Sequence, residues 1–279
     1  MKIGAIVQAR MSSSRLPGKV MKELPFNSGI PSIEQVLRRV SAAEKIDEVI
    51  LATSDDESDD ELASLVESRG YHVYRGSLGN VLERYYLAAT KYSLDIVVRI
   101  TGDCPCIDPD VIDMVVDRHI LNHADFTSSA IVRTFPIGID VGVMNYTALT
   151  KAFDNAQHDY EREHVTPYFY KTKPDEFNVQ VVKAEENRIH PEIRLTLDTP
   201  EDYNLLCCVF DYLYQENNLF GVDQAITLFE QKPWLKNINE KVSQKRVHNN
   251  LEGEVEDVLQ YCEHQGLNRM SEYIKNNLL

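Results

Sequence analysis

Apolar residues in the first half of the chain follow two spacings. Lys2–Gln8, Glu48–Thr53 (EVILAT) and Asp95–Ile100 (DIVVRI) are short and apolar almost throughout, the pattern of strands covered on both faces of a parallel sheet. Between them the spacing widens to three and four. Ile33, Val36, Leu37 and Val40 share one face of a helix over Ser32–Ala43, and Leu62, Leu65 and Val66 one over Asp56–Ser68, with Gly70 just past its end. Tyr71–Tyr74 predicts a short strand, Asn80–Tyr92 a helix capped by Asn80, and Pro109–Asn122 a helix with proline in its first turn. Strand and helix in regular alternation predict a doubly wound α/β sheet.

The second half is less regular. Asp125–Ser129, Asp140–Met144, Phe177–Val182 and Ile193–Leu197 predict strands. Asn145–Asn155 and Glu161–Lys171 predict helices, the second perturbed by Pro167, and Pro200–Gln215 predicts a helix carrying Tyr203, Leu206, Val209, Phe210 and Leu213. After Trp234 the chain turns polar and Asn-rich. The pattern divides it into a main domain, 1–234, and a C-terminal helical appendage, 235–279, with two helices.

Composition narrows the function. At 279 residues and 43% hydrophobic the chain can bury a sizeable core. A net charge of −15 and no basic run longer than two residues argue against a nucleic-acid partner. No apolar run approaches the ~20 residues that span a bilayer, and no signal peptide is visible, so no membrane association is expected. Five irregularly spaced cysteines do not form a disulfide framework, which favours a cytoplasmic setting.

Against that acidic background, the loop after the first strand stands out. QARMSSSRLPGK, Gln8 to Lys19, gathers Arg10, Arg15, Lys19 and three serines without an acid. Ligands of open parallel sheets bind beyond the carboxyl ends of the strands. Two more loops leave such ends, Thr53-Ser54-Asp55-Asp56 and Thr101-Gly102-Asp103-Cys104-Pro105, and both carry acids. Cations and backbone N–H groups for phosphate, with carboxylates for Mg²⁺, suit a metal–nucleotide complex. The first loop is neither a Walker A nor a GxGxxG motif. Charge pattern alone also fits a solvated surface loop, and Asp55 and Asp56 also fit simple helix caps.

The opening stretch resembles the A-R-x-x-S-x-R-L-P-x-K signature of the cytidylyltransferases that make CMP-activated acidic sugars, the CMP-octulosonate and CMP-acylneuraminate synthetases. It is most similar to the branch named for a spore-coat polysaccharide biosynthesis protein. VILATSDDESDDELA, VYRGSLGNVLERYY, VVRITGDCPCIDP, FPIGIDV, EREHVTPY and RLTLDTPEDYNLL continue the resemblance in order to about residue 215. It implies a Rossmann-like, mixed but mostly parallel sheet flanked by helices, of the nucleotide-diphospho-sugar transferase type. It also implies transfer of a cytidylyl group from CTP to an acidic sugar or related acceptor, with pyrophosphate released. On this reading Arg10, Ser13, Arg15 and Lys19 fall on the phosphate loop, and Asp103 and Asp198 on the aspartates that hold Mg²⁺. Arg10, Lys19 and Asp103 are the expected catalytic residues. Thr53 and Asp55 would approach the nucleoside, Arg75 and Arg84 the nucleotide or the acceptor, and Asp140, Arg162 and His164 the acceptor. The oligomeric state stays open, a homodimer being common among related enzymes.

Two positions depart from the branch. Ser12 stands where glycine is common, and a serine at positive φ would be strained. Gly142 stands where the branch reads glutamate, in GIDVG, which bears on acceptor choice or even activity.

The remaining motifs carry less. HDYEREH has histidines six apart, which suits a polar helix start better than zinc. Cys104-Pro105-Cys106 is too tight for a metal knuckle, and Cys207-Cys208 reads as helix core. Tyr85-Tyr86, Tyr168 and Tyr170 read as packing. Arg99, inside DIVVRI, fits either an ion pair near the site or an edge strand. Two other functions stay open: a glycosyltransferase of the same fold, for which GDC lacks the second acid of a DxD motif, and a non-catalytic nucleotide-binding subunit.

Overall fold

Seven strands, β1 (Ile3–Gln8), β2 (Glu48–Ser54), β3 (His72–Gly76), β4 (Ile96–Thr101), β5 (Phe126–Ser128), β6 (Gly142–Asn145) and β7 (Val179–Val181), form one sheet in the order β3-β2-β1-β4-β6-β5-β7. The computed structural model describes residues 1–215, 218–242 and 251–278. β1, β2, β3 and β4 run parallel; β6 is antiparallel to both β4 and β5, and β7 is parallel to β5. The mixed, mostly parallel sheet with flanking helices is the fold class the sequence implies.

The central strands are apolar throughout because both faces are covered. Ile3, Ala5 and Val7 of β1 enter one core with α1 (Ser32–Ser41), α2 (Asp60–Ser68) and later helices, while Ile6 enters the other with α3 (Val81–Lys91). α3 begins at Asn80, whose side chain accepts from Glu83 N at 3.1 Å. α4 (Pro109–Leu121) begins at Asp108 with proline in the first turn. α5 (Tyr146–Asn155) and α6 (Asp159–His164) follow β6.

Two predicted elements differ. The expected helix Glu161–Lys171 breaks: α6 ends at His164, Val165 takes φ 65°, and a π-helical turn resumes at Tyr168–Thr172 beyond Pro167. Ile193–Leu197 is not a strand. Arg194 makes an isolated bridge to Ile137, and the backbone N–H of Leu197 donates to Asp103 O at 2.7 Å. Ile193, Leu195 and Leu197 are buried, so the alternating pattern is real, but a loop rather than a neighbouring strand receives its hydrogen bonds. α7 (Pro200–Leu213) matches expectation, and α8 (Val222–Gln231) is additional, with Val222, Ala225, Ile226 and Phe229 inward.

A short helix, α9 (Lys236–Asn239), follows. The chain separates into two compact units, Met1–Ile238 and Asn239–Leu279. Within the second, α10 (Leu251–His264) and α11 (Asn268–Asn277) bury Val255, Leu259, Cys262 and Ile274 against one another.

Candidate active site

The loop from β1 to α1 folds back on itself. Gly18 N donates to Met11 O at 3.0 Å, and Gly18 adopts φ 65°, a conformation glycine takes without penalty. Ser12 is not at positive φ, so replacing the branch glycine strains nothing. Ser13 Oγ accepts from Leu16 N at 3.5 Å. A residue outside the motif anchors the loop: the fully buried Asp59 accepts from Met11 N at 2.7 Å, from Ser54 N at 3.1 Å and from the Ser54 hydroxyl. This carboxylate ties the β1 loop to the end of β2.

The loop delivers Lys19 onto two aspartates far away in sequence. Lys19 Nζ lies 2.8 Å from Asp103 Oδ2 and 2.8 Å from Asp198 Oδ1, and Arg15 Nη2 is 3.1 Å from the same Asp198 oxygen. The two acids meet because the chain before Asp198 is stitched to the loop carrying Asp103. Thr196 Oγ1 donates to Asp103 O at 3.0 Å, beside the Leu197 N–H bond. Gly102 permits the approach from the other side. Its N–H donates to Gln8 O at 2.8 Å, and a Cβ there would come within 2.6 Å of Ala9 Cβ.

Asp198 is held from behind. Arg194, 6% exposed, donates to Asp198 Oδ2 at 2.9 Å and to both oxygens of the fully buried Asp202 at 2.9 and 3.1 Å. Asp202 also closes the capping box of α7 with Thr199. Charge dominates the titration of this cluster. Burial works to lower the Lys19 pKa, but the two carboxylates outweigh it and hold it above its ordinary value. Burial works to raise Asp103, but the charge and hydrogen bond of Lys19 outweigh it and hold it below the ordinary range.

Other expected residues divide. Arg84 is 2% exposed, and its Nε and Nη1 have no hydrogen-bond partner. Burial above all, and then the positive charge of exposed Arg10, lower its pKa. Thr53 is fully buried with an unpartnered hydroxyl. Asp140 lies close enough to Asp103 and Arg99 to feel both charges and pairs with Arg133; burial first, and then Asp103, raise its pKa.

Arg75 is engaged elsewhere. It donates to Ser54 O and Asp56 O, each at 2.9 Å, and pairs with Asp60 at 2.6 Å, fastening the loop after β2. Asp56 caps the turn that follows, accepting from Ser58 N at 2.9 Å, while Asp55 is exposed. Arg162 contacts Ala156 O at 3.2 Å and Asp159 at 3.9 Å, around its own helix. His164 is the last residue of α6. In HDYEREH, Glu161 accepts from the N–H groups of Gln157 and His158 at 2.8 and 3.0 Å, so the stretch is a helix start. Sequence reading missed Asp59, Arg194 and Asp202; only the T-x-x-D box at Thr199 signalled one of them.

Cations and acids thus cluster beyond the carboxyl ends of parallel strands, where open α/β sheets bind their ligands. The family model described as cytidylyltransferase matches residues 4–247. The spore coat polysaccharide biosynthesis protein SpsF of Bacillus subtilis is 33% identical over 230 residues, 82% of this chain and 94% of that protein. A 3-deoxy-manno-octulosonate cytidylyltransferase of Geobacter metallireducens is 35% identical over 118 residues, 42% of this chain and 44% of its own. A solved cytidylyltransferase from Leptospira borgpetersenii superposes with a TM-score of 0.78 at 32% identity, covering 89% of this chain and all of that one. The chain belongs to the cytidylyltransferase family, in the branch of the Bacillus subtilis spore coat protein.

Proposed function

We propose that this cytidylyltransferase uses Mg²⁺ to move the cytidylyl group of CTP onto a sugar acid or related acidic acceptor, releasing pyrophosphate, in cytoplasmic synthesis of surface-glycan precursors. The observation that carries this reading is the meeting of Arg15 and Lys19 with Asp103 and Asp198 at the mouth of the sheet.

The donor set fits the metal. Mg²⁺ is commonly held by one or two carboxylates together with substrate phosphates, and Asp103 and Asp198 offer two converging carboxylates. When bound, the ion would neutralise phosphate charge and acidify an acceptor hydroxyl. The protein's own residues do the rest. Arg10, Arg15 and Lys19 take the phosphate oxygens, where negative charge builds as the acceptor oxygen bonds the α-phosphorus and pyrophosphate leaves. Arg84 presents two unpartnered N–H groups to the same nucleotide. Arg194 and Asp59 fix the geometry of Asp198 and of the phosphate loop.

The test is pyrophosphate release with Mg²⁺. Each of the four ribonucleoside triphosphates is offered with sugar acids, sugar phosphates and phosphonates, with Asp103→Ala as control. Release from CTP with a sugar acid, lost in the variant, is the expected result. Release from none of the pairs, alongside clear nucleotide binding by calorimetry, contradicts the reading.

A further inference from the structure

Arg99 lies on β4, between β1 and β6, so it is not on an edge strand. It pairs in register with Ile6 on one side and Gly142 on the other, and Gly142 pairs in turn with Ser128. Its side chain follows the alternation of Val97, onto the face covered by α3 and the π-helical turn, where Tyr85 and Tyr170 feel its charge. Its Nε is buried without a hydrogen-bond partner, and among the described residues the guanidinium has no ion pair. A buried donor left unpaired is unfavourable, because it has given up water and gained no partner. Asp140 feels the charge of Arg99 but is already bound by Arg133. Of the two guanidinium groups whose charge reaches this carboxylate, Arg133 takes the ion pair.

The neighbouring strand leaves room beside this charge. Gly142 is on the same face as Arg99, and a Cβ there would meet only ordinary contacts, Phe126 Cε2 at 3.5 Å and Arg99 Cβ at 3.7 Å. Two residues beyond Ile6 on the same face of β1, Gln8 carries a buried, unpartnered Oε1. A guanidinium without an ion pair among the described residues, an amide oxygen lacking a donor and a glycine with room for a Cβ thus share one face of the sheet, on strands that lead to Asp103.

We infer that Arg99 binds the carboxylate of the acceptor beside Gly142, where no side chain competes for the guanidinium, while Gln8 accepts from an acceptor hydroxyl. The inference rests on the transferase reading and adds the residue that selects an acidic acceptor. A planar carboxylate matches the guanidinium fork, and the partly buried setting strengthens the pair relative to water. A carboxylate built into position 142 would compete for the same guanidinium.

The test compares wild type with Arg99→Gln, Arg99→Lys and Gly142→Glu. With the acceptor that turns over, Arg99→Gln raises the acceptor KM at least tenfold and leaves the CTP KM within twofold. Arg99→Lys recovers part of the loss, Gly142→Glu mimics Arg99→Gln, and the acceptor's methyl ester binds all four alike. An unchanged acceptor KM in Arg99→Gln, or equal rises for both substrates, overturns the inference. A turnover-independent readout separates the two proposals. The Arg99 Nε–H signal in the full chain, identified by its loss in Arg99→Lys, shifts on titration with 3-deoxy-manno-octulosonate and not with its methyl ester. If that signal moves but no acceptor turns over, the transferase reading fails and the carboxylate site stands. If it ignores the carboxylate, the site is refuted whatever turns over.

Discussion

Lys19→Met removes the ammonium that two aspartates share while keeping most of the side chain's volume. Asp198 retains Arg15 at 3.1 Å and Arg194 at 2.9 Å, so the acid left without a cation is Asp103. The side chains of Lys19 and Asp103 are 12% and 25% exposed, between a buried and a surface pair. Breaking a buried pair costs about 3–5 kcal/mol and a surface pair about 1 kcal/mol or less, so the expected loss is about 2–3 kcal/mol. For a domain of this size that lowers Tm by roughly 4–12 °C. The pH dependence carries a sign. Asp103 has a depressed folded pKa, so its stabilisation is present above the ordinary carboxylate value and lost as pH falls through the folded value. Without Lys19, burial raises that pKa, and the variant is penalised at neutral pH and relieved in acid. The Tm gap between wild type and Lys19→Met should therefore narrow as pH falls from about 7 to about 4. Scanning calorimetry across that range, with Asp103→Asn as the partner in a double-mutant cycle, measures both effects. A Tm within 2 °C of wild type (about 1 kcal/mol or less) at neutral pH, or a Lys19→Met cost unchanged in the Asp103→Asn background, would refute the reasoning.

Three further outcomes follow from the same geometry. Gly102→Ala forces apart β1 and the Asp103 loop, and steady-state kinetics should show kcat/KM down about a hundredfold, the scale of an ångström-sized misplacement. Arg84→Met removes a buried cation with two unpartnered N–H groups, so the CTP KM should rise about tenfold while urea unfolding shows equal or greater stability. Asp202→Ala strips the buried Arg194 of its bidentate partner and α7 of its cap, and urea unfolding should show a loss of about 3–5 kcal/mol.

The convergence of the β1 and β4 loops at the candidate site was readable because local signals and fold agree there. Apolar strands too continuous to be half-exposed end in loops of charge, and in a parallel sheet those loops converge. Asp198 was harder to place. Ile193–Leu197 has the alternation of a strand, yet its backbone bonds go to Ile137 and Asp103, a long-range pairing that periodicity does not encode. Arg75 is placed near the nucleotide by the resemblance alone; its three local partners, Ser54, Asp56 and Asp60, are contacts that the sequence does not encode. The break at Val165 followed from Pro167 in kind but not in position. α8 had a readable face in Val222, Ala225, Ile226 and Phe229 and was lost between two better-defined segments. Asp59 looked like one acid among many in SDDESDDE; its role comes from being the one that turns inward to Met11 and Ser54.

The most direct measurement of the central claim follows the α-phosphorus. CTP labelled at that atom is incubated with Mg²⁺, the protein and a sugar acid, and the products are separated by charge and mass. The account predicts that label passes into a CMP–acceptor adduct in step with unlabelled pyrophosphate, and that both cease in Asp103→Ala. Label recovered only as CTP, CDP or free CMP, with no adduct to any acidic acceptor, would contradict it.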